Sequence, residues 1–279
     1  MAKKKITSSV AIAVYNEEVK LDACLSSVVA WADEIVLVDG GSRDRTLEIA
    51  KRYNARIIHS DNPPIFHINK QKALVACRSE WILQLDADEV VTPELREEIL
   101  NLMRLLTFPP ATLDAKHLRA GDFRLLTPNG YYIPRKNFFC GHWMRKGGQY
   151  PDYVIRLVRR GKANFPCKSV HEQISVDGQI GYIINPLLHH SYSSIAEYWY
   201  KANSYIALQA QEMKHQKLSV NLVTWFVYNA VKPSVTFILL YVRHKGFLDG
   251  YWGLLFALFS ALHHPLAYWR YSRNHEEIV

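Results

Sequence analysis

Four short apolar runs in the first ninety residues each end on polar or acidic side chains, and this rhythm constrains the fold more than any other feature of the chain. Ser8 to Tyr15 (SSVAIAVY) is β-branched and apolar and stops at Asn16-Glu17-Glu18; Glu34 to Val38 (EIVLV) stops at Asp39-Gly40-Gly41-Ser42. A short run at Arg56 to His59 and a longer one at Trp81 to Leu85 follow, the last ending at Asp86-Ala87-Asp88-Glu89. Between them, apolar residues recur at helical spacing over Val19 to Trp31, Arg43 to Tyr53 and Ile68 to Arg78. Strands alternating with helices through short connections predict an α/β fold with a mostly parallel sheet, whose ligands sit in a crevice at the carboxyl ends of the strands. The acidic and amide residues fall at those ends, so Asn16, Glu17, Asp39, Asp86 and Asp88 are expected to converge on one site.

Beyond the fourth strand, Thr92-Pro93 reads as an N-cap followed by proline at the first helical position, opening a helix to about Leu106. Two prolines, a glycine and no clear period mark 107–122 as a loop or insertion. From Arg135 to Lys168 there are nine Lys or Arg against one acid, Asp152. An imbalance of that kind fits an anionic partner or a solvated face equally well. The whole chain has 279 residues, 49% of them hydrophobic, and a net charge of +8, which excludes a disordered protein and leaves room for a large domain with an appendage. Cys24, Cys77, Cys140 and Cys167 lie far apart without zinc-ligand spacing, so they are expected to be thiols. The basic start, Met1 to Lys5, is not followed by an unbroken apolar stretch with a cleavage site, so a cytosolic catalytic part is expected.

The last third changes character. Leu222 to Val242 and Phe247 to Trp269 are apolar and aromatic, flanked or interrupted by Lys232, Arg243, Lys245, Arg270 and Arg273. Lys232-Pro233 in one segment and Asp249 with two histidines in the other argue for helices lying in a membrane interface rather than spanning it. The competing reading is a pair of core helices packed on the α/β domain. The expected division is a domain over 1–215, with a nucleotide half at 1–106 and an acceptor half at 107–215, followed by a membrane-associating helical region at 216–279 through which residues 220–270 meet the membrane surface.

Asp86-Ala87-Asp88 places carboxylates on alternate residues at a strand end, where a hard divalent ion such as Mg2+ or Mn2+ could bridge them to phosphate oxygens. Alone, such a pair is more often solvated surface. In order along this chain, VYNEE, VDGGSRDRT, a helix bearing Asn69, Lys70 and Lys72, and WILQLDADE together resemble the family-2 glycosyltransferases, which have the GT-A (Rossmann-like) fold. Arg156 to Arg160, Val170-His171-Glu172, His189 to Tyr192, Glu197-Tyr198, Lys201 and the GFLDG of Gly246 to Gly250 are similar to the bacterial branch that contains lipopolysaccharide-core β-glucosyltransferases.

The resemblance implies an inverting transfer of a sugar from a nucleotide-sugar donor, a UDP-sugar, to a lipid-linked or lipopolysaccharide-type saccharide acceptor at the cytoplasmic face of the plasma (inner) membrane. It assigns Asp39 to the nucleobase, Tyr15, Asn16 and Glu17 to the vicinity of base and ribose, and Asp86 to ribose and metal. Asp88 becomes the principal ligand of Mn2+ or Mg2+, completed by His190 with His189 as its competitor. Lys70 or Lys72 faces the phosphates, and Glu172 is the catalytic base with Asp152 as runner-up. The chain departs from the family at Gly40, where Asp or Ser is frequent. The plain reading of Asp39 to Ser42 is a tight turn with a helix cap, which is compatible with the functional one.

Neither GxGxxG after the first strand nor GxxxxGK[ST] occurs, which removes the usual dehydrogenase and P-loop signatures. A sugar-1-phosphate nucleotidyltransferase would want a glycine- and arginine-rich first loop where this chain has Tyr15 to Glu18. An inactive sugar-nucleotide-binding membrane scaffold is the alternative from another class, and the basic charge lacks any reading helix, so no nucleic-acid partner is expected.

Overall fold

The computed structural model describes residues 7–107, 128–167 and 173–276. The candidate base Glu172 and the expected loop at 108–122 lie outside the described residues. The chain forms two compact units: residues 1–135 with 153–189, and residues 136–152 with 190–279.

The first unit begins with the predicted alternation. Strands β1 (Ser8–Val14), β2 (Glu34–Asp39), β3 (Arg56–His59) and β4 (Trp81–Leu85) are separated by helices α1 (Leu21–Ser26), α2 (Thr46–Arg52) and α3 (His67–Ala76). β1 is the centre of a parallel core, with β2 on one side, β4 on the other, and β3 outside β2. Its residues Val10, Ala11 and Ile12 are fully buried, as both faces of a covered parallel strand should be. After β5 (Glu89–Val91) comes α4 (Pro93–Thr107), where the Thr92 hydroxyl accepts from the Leu95 N–H at 3.1 Å, the predicted cap.

Beyond β4 the sheet is no longer parallel. β8 (Asp152–Arg159) joins β4 antiparallel, β6 (Gly130–Phe139) and β12 (Leu187–Tyr192) follow, and β12 pairs antiparallel with β5 at the edge. The result is a mixed sheet with flanking helices in which the parallel description holds for β1 to β4. β7 (His142–Trp143) and β11 (Ile180–Tyr182) pair with β6, and β9 (Ala163–Asn164) and β10 (Ser175–Val176) make a small separate ribbon. The aliphatic core of this unit gathers Ile12, Leu21, Leu25, Leu37, Leu83, Leu85, Leu95 and Ile99.

The second unit is helical and aromatic. α5 (Ile195–His215) is capped by Ser194, whose hydroxyl accepts from the Glu197 N–H at 3.1 Å. A continuous helix, α6 (Leu222–Arg243), opens with a reciprocal cap between Asn221 and Thr224 and contains two π segments, at Val227–Val231 and Ile238–Arg243. The first π segment immediately precedes Lys232-Pro233, and a widened turn is how a helix passes a proline that has no N–H and crowds the carbonyl four residues back. After a 3-10 turn, α7 (Gly250–Glu276) packs against α5 and α6. Phe139 is the hub of the core, with the rings of Tyr192, Tyr198, Trp252, Phe256 and Phe259 edge-on at 5.5–6.4 Å. α6 is apolar enough and long enough to cross a membrane, and only 6% of its most apolar stretch is buried.

Candidate active site

Three loops at the carboxyl ends of β1, β2 and β4 form the site in the first unit. The first two are tied to each other by side chains. Asn16 takes a left-handed backbone (φ 55°), its N–H donates to Ser42 Oγ at 2.9 Å, and its Oδ1 accepts from the Arg43 N–H at 2.8 Å. The Glu17 N–H donates to Thr46 Oγ1 at 2.8 Å, so the acid is held at the mouth of β1 by the helix that follows β2. Asp39 is 1% exposed and closes its own turn, accepting from the N–H groups of Gly41 and Ser42 at 3.1 Å. Gly41 has φ +87°, a conformation that suits glycine. The tight-turn reading of Asp39 is therefore realised, and a carboxylate has more acceptor positions than these two bonds use.

The loop after β4 is more strongly bound. Asp86 receives Lys70 Nζ on Oδ1 at 2.5 Å and Arg156 Nη2 on Oδ2 at 2.6 Å. Arg156 also reaches Glu89 Oε1 at 2.6 Å and bonds the Gln84 side-chain oxygen, while Arg135 lies 3.5 Å from Glu89. The other Glu89 oxygen accepts from the Asp86 N–H at 3.0 Å. Glu89 is fully buried, and Gln84, Arg156 and Lys70 are nearly so. Burial alone would raise the Asp86 pKa; the charges of Arg156 and then Lys70 outweigh it and hold the carboxyl well below its ordinary range. The same partnership raises the Arg156 pKa against its burial.

Asp88 has His189 Nε2 3.6 Å from its Oδ1. Burial lowers the His189 pKa, only partly opposed by Asp88 and Glu89, which favours the neutral ring near pH 7. His189 meets Asp88 within the first unit, and within the second unit the ring of His190 stacks on Phe138, centroids 4.8 Å apart. Asp152, also in the second unit, accepts from the Asn137 amide at 3.1 Å.

The two lysines of α3 diverge. Lys70 turns to Asp86, whereas Lys72 donates to Ser60 Oγ at 2.6 Å and, with Asn69 bonding Ser60 and the Asp61 carbonyl, pins the loop after β3. Tyr15 is half-exposed beside these loops. Convergence of the acids is visible at Cys24, which donates to the Asp86 carbonyl: burial pushes its thiol well up, and Glu89, Asp88, Asp86 and Glu17 add to the effect in that order.

The donor chemistry fits a divalent cation in part. Asp88 and His189 offer a hard oxygen and an imidazole nitrogen side by side, a suitable pair for Mn2+. Asp86 has both oxygens already facing cations, and no group of three or more His, Cys, Asp or Glu side chains among the described residues is arranged to hold a metal. Sequence reasoning gave no site role to Gln84, Glu89 or Arg135, and quoted Arg156 only within the Arg156–Arg160 resemblance. Their signal was the antiparallel pairing of β8 with β4, which no local pattern reveals.

With known proteins the following similarities hold. The family model for glycosyl transferase family 2 matches residues 9–107. An uncharacterized glycosyltransferase of Rickettsia bellii is 35% identical over 240 residues, covering 80% of this chain and 74% of that protein. The lipopolysaccharide core biosynthesis glycosyltransferase LpsC of Rhizobium meliloti is 28% identical over 279 residues, covering 92% of this chain and 91% of that protein. A crystal structure of S. aureus TarS, residues 1–349, aligns at 15% identity with a TM-score of 0.44, covering 87% of this chain and 74% of that one.

Proposed function

The chain belongs to glycosyltransferase family 2, and on that premise we propose that it transfers a sugar from a nucleotide-sugar donor, a UDP-sugar, to a lipopolysaccharide-type or lipid-linked saccharide acceptor with inversion at the anomeric carbon. The observation that carries the reading is the acidic end of β4, where Asp88 with His189 stands beside the charge-balanced set of Asp86, Lys70 and Arg156. The name of the R. meliloti relative, which spans nearly the whole chain, supports the cell-envelope acceptor.

In this reading Asp88 and His189 would hold a divalent cation, which when bound would offset charge on the departing diphosphate. Lys70 supplies a further positive charge near the phosphates while Arg156 keeps Asp86 ionised, fixed and available to the ribose. Asp39 meets the nucleobase from its turn, and Asn16 and Glu17, immobilised by Ser42 and Thr46, wall the ribose side next to Tyr15. Lys72 shapes the rim through Ser60. Glu172, proposed from the resemblance of Val170-His171-Glu172, removes the proton of the acceptor hydroxyl as its oxygen attacks. The exposed apolar face of α6 supports a membrane-associated enzyme that meets its acceptor at the cytoplasmic membrane surface.

The test uses sugar transfer from labelled UDP-sugars to deacylated lipopolysaccharide oligosaccharides. Glu172→Gln should abolish transfer and leave UDP affinity nearly unchanged. Equal loss of transfer and affinity would make Glu172 a binding or folding residue, and transfer at the wild-type rate would remove it from the mechanism.

A further inference from the structure

The second unit contains a groove that the glycosyl-transfer reading does not use. It lies between α5 and the last turns of α7, has a volume of about 510 Å3, and is lined by Trp199, Asn203, Ile206, Leu266, Trp269, Arg270 and Arg273. The sequence dictates its two sides. On α5, Trp199, Asn203 and Ile206 recur at helical spacing, and on α7 Leu266, Trp269, Arg270 and Arg273 do the same. The lining holds two guanidinium groups and no carboxylate. Arg270 Nη1 donates to Asn203 Oδ1 at 3.0 Å, and the Arg273 guanidinium lies 5.0 Å from the Trp269 ring centroid. Both arginines are thereby held at the groove, and each guanidinium has five N–H bonds, more than these contacts use.

Charge and polarity select the occupant. Two arginines with no acid among the described lining residues favour an anion, and a wall of indole and aliphatic side chains favours an apolar body attached to it. The groove continues along α7 into an exposed apolar stripe of Tyr251, Leu258, Leu262, Leu266 and Trp269, spaced three, four or seven residues apart on one helix face. A free phosphate has no use for such a stripe, and an acidic peptide would leave its length uncovered. An anionic lipid matches both features.

We propose that this groove binds an anionic glycerophospholipid, with the phosphate at Arg270 and Arg273, the glycerol region against Trp199 and Trp269, and an acyl chain along Leu266 towards Leu262. Trp269 is then an interfacial anchor, and the groove fixes α7 at the headgroup level of the bilayer. The inference rests on the groove and not on the assignment of the catalytic site.

The full chain is titrated with dihexanoyl-phosphatidylglycerol below its micelle concentration, followed by tryptophan fluorescence, with dihexanoyl-phosphatidylcholine and inorganic phosphate in parallel. The expected result is saturable binding of phosphatidylglycerol, tighter than either comparison. Removing two phosphate contacts by Arg270→Gln with Arg273→Gln should weaken it about 25-fold, from about fivefold per contact. The charge-matched pair Lys51→Gln with Lys214→Gln, on exposed helix positions outside the groove, should stay within about twofold of wild type. Leu266→Trp, which fills the groove and keeps both arginines, should also lose lipid binding while melting like the wild type. The proposal is overturned if phosphate binds as tightly as the lipid, if phosphatidylcholine binds equally, or if the two double variants lose binding alike. Titration of the same variants with UDP separates this result from the catalytic reading, because nucleotide binding should not change in any of them.

Discussion

Both units bury an apolar core, but they differ in what they add to it. The first surrounds a fully buried carboxylate, Glu89, with Arg156, Arg135, Gln84 and, through Asp86, Lys70. The second buries rings about Phe139 and leaves large apolar residues such as Leu222, Val223, Trp225 and Phe226 in the open. Neither choice is what stability alone would select. Well-packed apolar side chains often replace a buried ion network without loss, and a broad exposed apolar face costs hydration free energy. Each unit thus gives up stability in its own way: ionic order beneath the candidate catalytic loops in one, and an exposed apolar surface in the other.

The comparison breaks most easily at Arg156. Arg156→Met leaves Glu89 and Asp86 short of their shared cation and should cost about 3–5 kcal/mol in denaturant unfolding. A loss under about 1 kcal/mol would mean that water or the remaining cations satisfy the acids. In the second unit Phe139→Ala removes the hub ring, and the expected cost reaches a similar about 3–5 kcal/mol through a cavity rather than a charge. Salt distinguishes the two, since the cavity cost should not respond to ionic strength.

Acid sharpens the contrast. The folded pKa of Asp86 is depressed by Arg156 and Lys70 against its burial. The pKa of Glu34 is lowered despite burial, by bonds from the Arg78 N–H, Ser9 and Arg56. Groups of this sign stabilise the fold fully above their unfolded pKa values of about 4, and the contribution is lost as pH falls through the lower folded values. Unfolding free energy should therefore decline below about pH 4, and less steeply in Asp86→Asn; an unchanged acid limb would show that the pair stores no such free energy. The smallest effect is local. Thr92→Ala removes the α4 cap and should cost about 1 kcal/mol, measurable by thermal unfolding.

The parallel core was legible because a buried strand writes itself as a continuous β-branched run: β3 and β4 have the bounds read from sequence, and β1, β2 and α4 differ by a residue at one end. β5 escaped notice. Three residues between an acidic loop and a helix cap carry no period, and its partner β12 lies almost a hundred positions away. The basic stretch divided evenly between a solvated face and an anionic partner; in the structure Arg135 and Arg156 turn inward to Glu89 while the exposed Lys146 does not. Histidine placement was open for the same reason, since the long-range register that sets His189 opposite Glu89, beside Asp88, leaves no local pattern. In the C-terminal third the apolar segments were clear, and α6 and α7 form on them, but the passage of α6 through Lys232-Pro233 by π turns follows from backbone crowding that a hydropathy pattern does not record.

The most direct measurement is calorimetric titration of the full chain with UDP, GDP, dTDP and ADP, each with and without Mn2+, beside Asp88→Ala and His189→Ala. The account predicts that UDP binds, that Mn2+ tightens it, and that the metal-dependent part disappears in both variants while the metal-free part survives. Binding that ignores Mn2+, or that keeps its metal dependence without Asp88, would contradict the assignment of the β4 loop as the diphosphate site.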